Sequence, residues 1–147
     1  NLVIIVKLVI MYYIKLIMKN TILKLLEYIY YFSLIILFIL YLYPGSLMGY
    51  FLYGNLEQQP NLIPNPIGTS INHFIFFSYI TILALIVRSK AINIFSDYKI
   101  ILLISFILEI FHFIIPNRAF EFYDLIANVL GVLTIILLER LRKWLNY

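Results

Sequence analysis

Four stretches free of Lys, Arg and Asp, and nearly free of Glu, divide the chain: Tyr28 to Tyr43, Ile71 to Val87, Ile100 to Ile115 and Leu125 to Leu138. Pro44–Gly45, Arg88, Pro116 and Glu139–Arg140 close them in turn, and only Glu109 and His112 interrupt the third. Each run is somewhat shorter than the roughly 20 residues a membrane-crossing helix prefers, and flanking turns extend every one. The pattern predicts helices over about 25–43, 71–88, 99–115 and 123–139. Helices are required because unpaired backbone groups are too costly in hydrocarbon. Eight of the ten Pro and Gly residues lie between the first and second runs, which marks the one long loop. Within it, Ser46 to Tyr53 reads as an apolar patch lying along the membrane interface, with Tyr at headgroup level.

Composition changes the solvent, not the element list. Of 147 residues, 64% are hydrophobic and 12% charged, with a mean hydropathy of +1.00. A chain this short has no interior large enough to hide that much apolar side chain, so lipid must cover it. The expected fold class is all-α: a polytopic membrane protein built as a four-helix transmembrane bundle. A soluble enzyme, a disordered chain and a nucleic-acid-binding module are excluded. The absence of Cys removes disulfides, thiolate metal sites and a Cys nucleophile. There are 29 Ile and 4 Ala, with abundant Asn, Lys, Phe and Tyr. That is the signature of A/T-rich coding, so the choice among aliphatic residues carries little information and the scarce polar residues carry more.

Charge sets the orientation. Lys7, Lys15, Lys19 and Lys24 precede the first run, Arg88, Lys90 and Lys99 separate the second from the third, and Arg140, Arg142 and Lys143 follow the fourth. Only Arg118 lies on the other side. By the positive-inside rule both termini are expected in the cytoplasm of a cytoplasmic-membrane protein. The net charge of +4 is therefore an orientation signal and not a nucleic-acid footprint. Residues 1–17 read as translated upstream sequence, since Met18-Lys19-Asn20 looks like a natural start, or else as an extra N-terminal helix. No small-residue cleavage site follows them, so a cleaved signal peptide is not expected. Residues 18–147 form the membrane domain.

This topology gathers the polar residues in the outer leaflet. His73 is in the first turn of the second helix, and Glu109 and His112 are in the last turns of the third. Arg118 and Glu121 lie in the turn, and Asp124, Asn128 and Gly131 share a face of the fourth helix. Glu109 lies about 9 Å below the expected helix end at Ile115. A carboxylate at that depth must be paired or protonated and faces a bundle interior or a wet cavity. His112, His73 and Arg118 are its candidate partners. Asp124 suits a helix N-terminus, Gly131 a close helix approach, and buried Asn128 requires partners.

These residues, in this order, resemble the VanZ-like family of small bacterial membrane proteins over about residues 28–140. His73 and Tyr79 match one helix, Glu109 and the turn Pro116-Asn117-Arg118 the next, and Asp124, Asn128 and Gly131 the last. Thr69-Ser70 stand where that pattern has an Asp-Lys pair, and Glu-x-x-His replaces Glu-x-x-Gln. The resemblance implies a membrane protein of the cell envelope, linked through the family's namesake with resistance to the glycopeptide teicoplanin. On this reading Glu109, His73 and Asp124 are the candidate acid–base residues, and Arg118, Asn128, His112 and Tyr79 the candidate binding residues. The expected partners are the lipid bilayer and a lipid-linked or amphiphilic ligand, with Arg118 contacting its anion and no cofactor. Two alternatives stand beside it. One is an intramembrane metal-dependent enzyme using Glu109, His112, His73 and Asp124, and the other a scaffold whose polar cluster locks the bundle.

Overall fold

A computed structural model describes residues 2–60, 68–88 and 97–146. They form five helices: α1 (Leu2–Leu42), α2 (Leu47–Tyr53), α3 (Gly68–Arg88), α4 (Tyr98–Phe111) and α5 (Phe122–Leu145). No strand occurs among the described residues. Three helical stretches, Ile10–Leu42, Ser70–Arg88 and Phe122–Leu145, are long and apolar enough to cross a membrane. At 14 residues, or about 21 Å, the helix α4 by itself falls short of the hydrocarbon thickness, as does the seven-residue α2.

The helical part of α4 is shorter than the expected 99–115. The helix stops at Phe111, four residues before Ile115, because its last turns tighten. His112, Phe113 and Ile114 each donate to the carbonyl three residues back, at 3.1, 3.1 and 3.0 Å. Pro116 disfavours helical geometry at Ile115, and Asn117 follows with φ 56°, which turns the chain toward α5. At the other extreme, α1 is longer than the expected first span and runs unbroken through position 17. Its early side chains project beyond the bundle: Leu8, Met11, Tyr12, Ile17, Met18 and Ile22 are all more than half exposed, and among the described side chains Tyr30 is the first fully buried one. The expected interfacial patch is α2, capped by the Ser46 hydroxyl accepting from Gly49 N–H at 2.9 Å and ended by left-handed Gly54.

The packing is inverted relative to a soluble protein. Phe106, Phe113, Phe122, Leu133 and Leu137 are exposed, while Glu109, Asp124, Asn128, Ser105 and Thr81 are buried. Exposed apolar surface on this scale suits lipid contact. A core of Leu37, Tyr41, Phe77, Ile80, Leu108 and Val132 sits between α1, α3, α4 and α5. The most extensive contact is between α3 and α5, and Gly131 makes it possible. A Cβ at that position would lie 2.6 Å from the Phe74 carbonyl oxygen and 3.2 Å from Phe77 Cβ. Replacing Gly131 with Ala is expected to force the two backbones apart and cost about 1–3 kcal/mol. Thermal unfolding of the purified protein in detergent would measure it; an unshifted midpoint would mean the contact has slack.

Candidate functional site

The C-terminal ends of α1 and α4 and the N-terminal ends of α3 and α5 meet at one end of the bundle. Each helix places a polar residue there, and the four side chains bond in a closed layer. Asn128 from α5 is the joint. Its amide NH2 donates to the Ser105 carbonyl at 3.4 Å and to Glu109 Oε2 at 3.3 Å. Both are acceptors, so the amide orientation is determined and its oxygen faces the other way. There it accepts from the Tyr41 hydroxyl at 2.7 Å, with His73 Nδ1 at 3.1 Å. Tyr41 has a single proton, which goes to Asn128, so His73 Nδ1 carries a hydrogen and donates to the Tyr41 oxygen 2.6 Å away. The other ring nitrogen of His73 lies 3.3 Å from Asp124 Oδ2, and Asp124 Oδ1 accepts from the Ser70 hydroxyl at 2.5 Å.

Glu109 is wholly buried and satisfied within this layer. Oε1 lies 3.1 Å from His112 Nδ1 and accepts from the Glu121 backbone N–H at 3.3 Å, while Oε2 accepts from the Asn128 amide. The carboxylate therefore sits at the start of α5, where a free amide and the helix dipole favour negative charge. Of its expected partners, His112 bonds directly and His73 lies 3.9 Å away. Among the described residues Arg118 bonds to α1 instead of Glu109. Its Nε and Nη2 donate to the carbonyls of Tyr43 (3.3 Å) and Leu40 (2.5 Å). It thus caps the C-terminus of α1, as a cation there should.

Above the closed layer is a pocket of about 530 Å³. Ile36, Leu40, Leu47, Met48, Leu52 and Phe76 give it an aliphatic and aromatic wall, while Asn72, His73, His112 and Arg118 give it a polar one. His112 stacks on Tyr41, with ring centroids 5.5 Å apart and 18° between planes. Its Nε2 is buried and has no hydrogen-bond partner among the described residues, and the same holds for Asn72 Oδ1. Burial of the guanidinium pulls the Arg118 pKa below its ordinary value, an effect opposed by Tyr41, Glu109 and Asp124 nearby.

The sequence-based roles are thus redistributed. Glu109 and Asp124 belong to the closed layer and do not line the pocket, whereas His73, His112 and Arg118 do. Asn128 joins the four helices instead of facing the pocket. Tyr79 stands apart: about 9 Å further along α3 than His73, its hydroxyl pairs with Ser33 on α1 at 3.0 Å. Tyr41, Ser70, Asn72 and Ser105 were not foreseen. Only depth pointed to Tyr41, and among 13 Tyr that signal is weak. Among the described residues no three His, Cys, Asp or Glu side chains are grouped to hold a metal ion.

Glu121, at the rim, has its carboxyl pKa raised by burial first and then by the nearby Asp124 and Glu109 charges. A carboxyl with a raised folded-state pKa favours folding in its protonated form, a contribution present at low pH and lost as pH rises through that pKa. Glu121→Gln is therefore expected to raise the melting temperature at neutral pH, with the gain shrinking below the carboxylate range. Melting curves across pH would check it, and an equal gain at every pH would contradict it.

The chain matches no family model, no curated protein and no solved structure.

Proposed function

We propose that this protein is a VanZ-like membrane protein that binds an amphiphile with an anionic head at the outer leaflet, a lipid-linked or envelope component. The observation that carries the reading is the pocket, with an aliphatic wall on one side and Arg118, His112 and Asn72 on the other. A site of this volume, mostly apolar with a few convergent polar groups, has the character of small-molecule pockets in general. On this reading α4, with its flanking turns, also crosses the membrane, as the third of four spans, and both termini lie in the cytoplasm. Support for that sidedness comes from the basic residues at the opposite end of the bundle, Arg88, Lys99, Arg140, Arg142 and Lys143. The ordered set His73, Glu109, Arg118, Asp124, Asn128 and Gly131 supports the family reading.

A scaffold is the second reading, and the closed layer favours it, because Tyr41, His73, Glu109 and Asn128 tie four helices without needing a ligand. The pocket and its unbonded His112 Nε2 favour the first. Native mass spectrometry of protein released from dioleoyl phosphatidylglycerol nanodiscs would decide. One retained lipid per chain is expected for the native protein, and its loss in Leu40→Trp, which fills the aliphatic wall. Equal retention by both proteins would leave the pocket without a ligand role.

A further inference from the structure

The proton positions in the closed layer say what kind of headgroup the pocket would take, if it binds an amphiphile as proposed above. Glu109 receives three hydrogen bonds. Taken as an ionised carboxylate Glu109 can only accept, so beside the Glu121 backbone N–H and the Asn128 amide its third partner, His112 Nδ1, brings a hydrogen as well. A neutral ring with its proton on Nδ1 has a bare lone pair on Nε2. His112 lines the pocket, and this nitrogen is buried with no donor among the described residues. Asn72 reaches the same condition by another route. Its NH2 donates to the Pro60 carbonyl at 2.7 Å, which leaves Oδ1 as a second buried acceptor without a donor. Folded proteins leave few buried polar atoms unpaired, and each one has a cause. Here the two residues that carry such acceptors line one pocket together with Arg118. Two of the five N–H donors of Arg118 are spent on α1, and its positive charge remains.

We propose that His112 Nε2 and Asn72 Oδ1 select the ligand by accepting hydrogen bonds from hydroxyls of its head, next to a phosphate held by Arg118. The ligand class is a polyol phosphate on an acyl or prenyl chain. A zwitterionic choline head offers neither the net charge nor a hydroxyl, and a simple phosphodiester offers no hydroxyl. Glu109 is the positioning residue: it holds the His112 ring in one tautomer, as a carboxylate does in other His pairs, and does not itself face the ligand.

The test uses the full chain in nanodiscs carrying competing dioleoyl lipids, with retained lipid counted by native mass spectrometry. Phosphatidylglycerol is expected to be retained about tenfold over phosphatidylmethanol, which keeps the phosphodiester charge and lacks the hydroxyls. His112→Phe and, independently, Asn72→Leu are expected to bring that ratio to within about twofold. Equal retention of the two lipids by the native protein would overturn the selection and mean that water satisfies both acceptors. Retention of neither would remove the amphiphile reading itself. Free glycerol phosphate leaves the aliphatic wall empty, so it is expected not to displace the lipid; displacement at equal concentration would assign the site to a soluble head. The tautomer has its own readout that needs no variant to fold. The chain has two His, and 15N spectra should show a hydrogen on His112 Nδ1 and a bare Nε2 that shifts when phosphatidylglycerol is added. A hydrogen on Nε2 with bare Nδ1 would overturn the proposal.

Discussion

Replacing Glu109 with Ala is expected to destabilise the protein by about 3–5 kcal/mol, the range found when one partner of a buried charged network is removed. The loss is not that of one bond. The Asn128 amide, the Glu121 backbone N–H and His112 Nδ1 would all face a cavity in place of an acceptor, and each unpaired donor in an apolar interior costs free energy of its own. Asn128 also orients Tyr41 and His73, so the damage should spread to all four helix ends. Glu109→Gln should cost less. Its oxygen still accepts from His112 and Glu121, and only its NH2 meets the Asn128 amide donor to donor. Thermal unfolding in detergent, with both variants side by side, would show this order. If Glu109→Ala melts like the native protein, the closed layer is not what holds this end of the bundle.

The second large effect concerns Arg118. Its replacement with Ala is expected to weaken retention of an anionic lipid by about tenfold to a hundredfold, since a hydrogen bond to a charged group contributes roughly 1.5–3 kcal/mol. The same change uncaps α1 at Leu40 and Tyr43. A purely structural role would therefore lower stability and leave the preference for anionic over zwitterionic lipid intact. Comparing phosphatidylglycerol with phosphatidylcholine retention in the variant separates the two. Arg118→Lys keeps the charge without the planar fork that reaches both carbonyls, so it should recover part of the lipid preference and less of the stability. A variant that loses stability alone would assign Arg118 to capping.

Glu109, expected as an acid–base residue, and His112, expected as a binding residue, lie in adjacent layers. The carboxylate is enclosed and gives its hydrogen-bonding capacity to the fold. The imidazole it holds is the group in the pocket wall. The expectation of an acid–base Glu109 came from its depth and from the family resemblance, and depth is equally satisfied by a carboxylate that never meets a ligand. Asp124 is similar: its place in the first turn of α5 suggested a helix cap, yet its oxygens go to Ser70 and His73 on α3.

What the sequence determined by itself was the solvent and the gathering of polar residues. Hydrophobic excess in so short a chain points to lipid as surroundings, and breaks at charges, Pro and Gly set where α3 and α5 run and where α1 ends. Because consecutive helices alternate in direction, residues near successive ends fall together at one end of the bundle, which placed His73, Glu109, His112, Asp124 and Asn128 together without any coordinates. Gly131 was legible as a contact point because only a missing side chain lets two helix axes come so close. The partners were not legible. Which oxygen meets which nitrogen depends on helix rotation and on differences of an ångström or two, and neither is encoded in spacing along one chain. The early end of α4 at Phe111 depends likewise on a tightened turn that spacing does not reveal. Tyr41 and Asn72 stayed hidden because Tyr and Asn are common in this chain, and nothing local distinguishes a joint from a lipid-facing ring. Only the tertiary structure separated the enclosed carboxylate from the imidazole in the pocket wall.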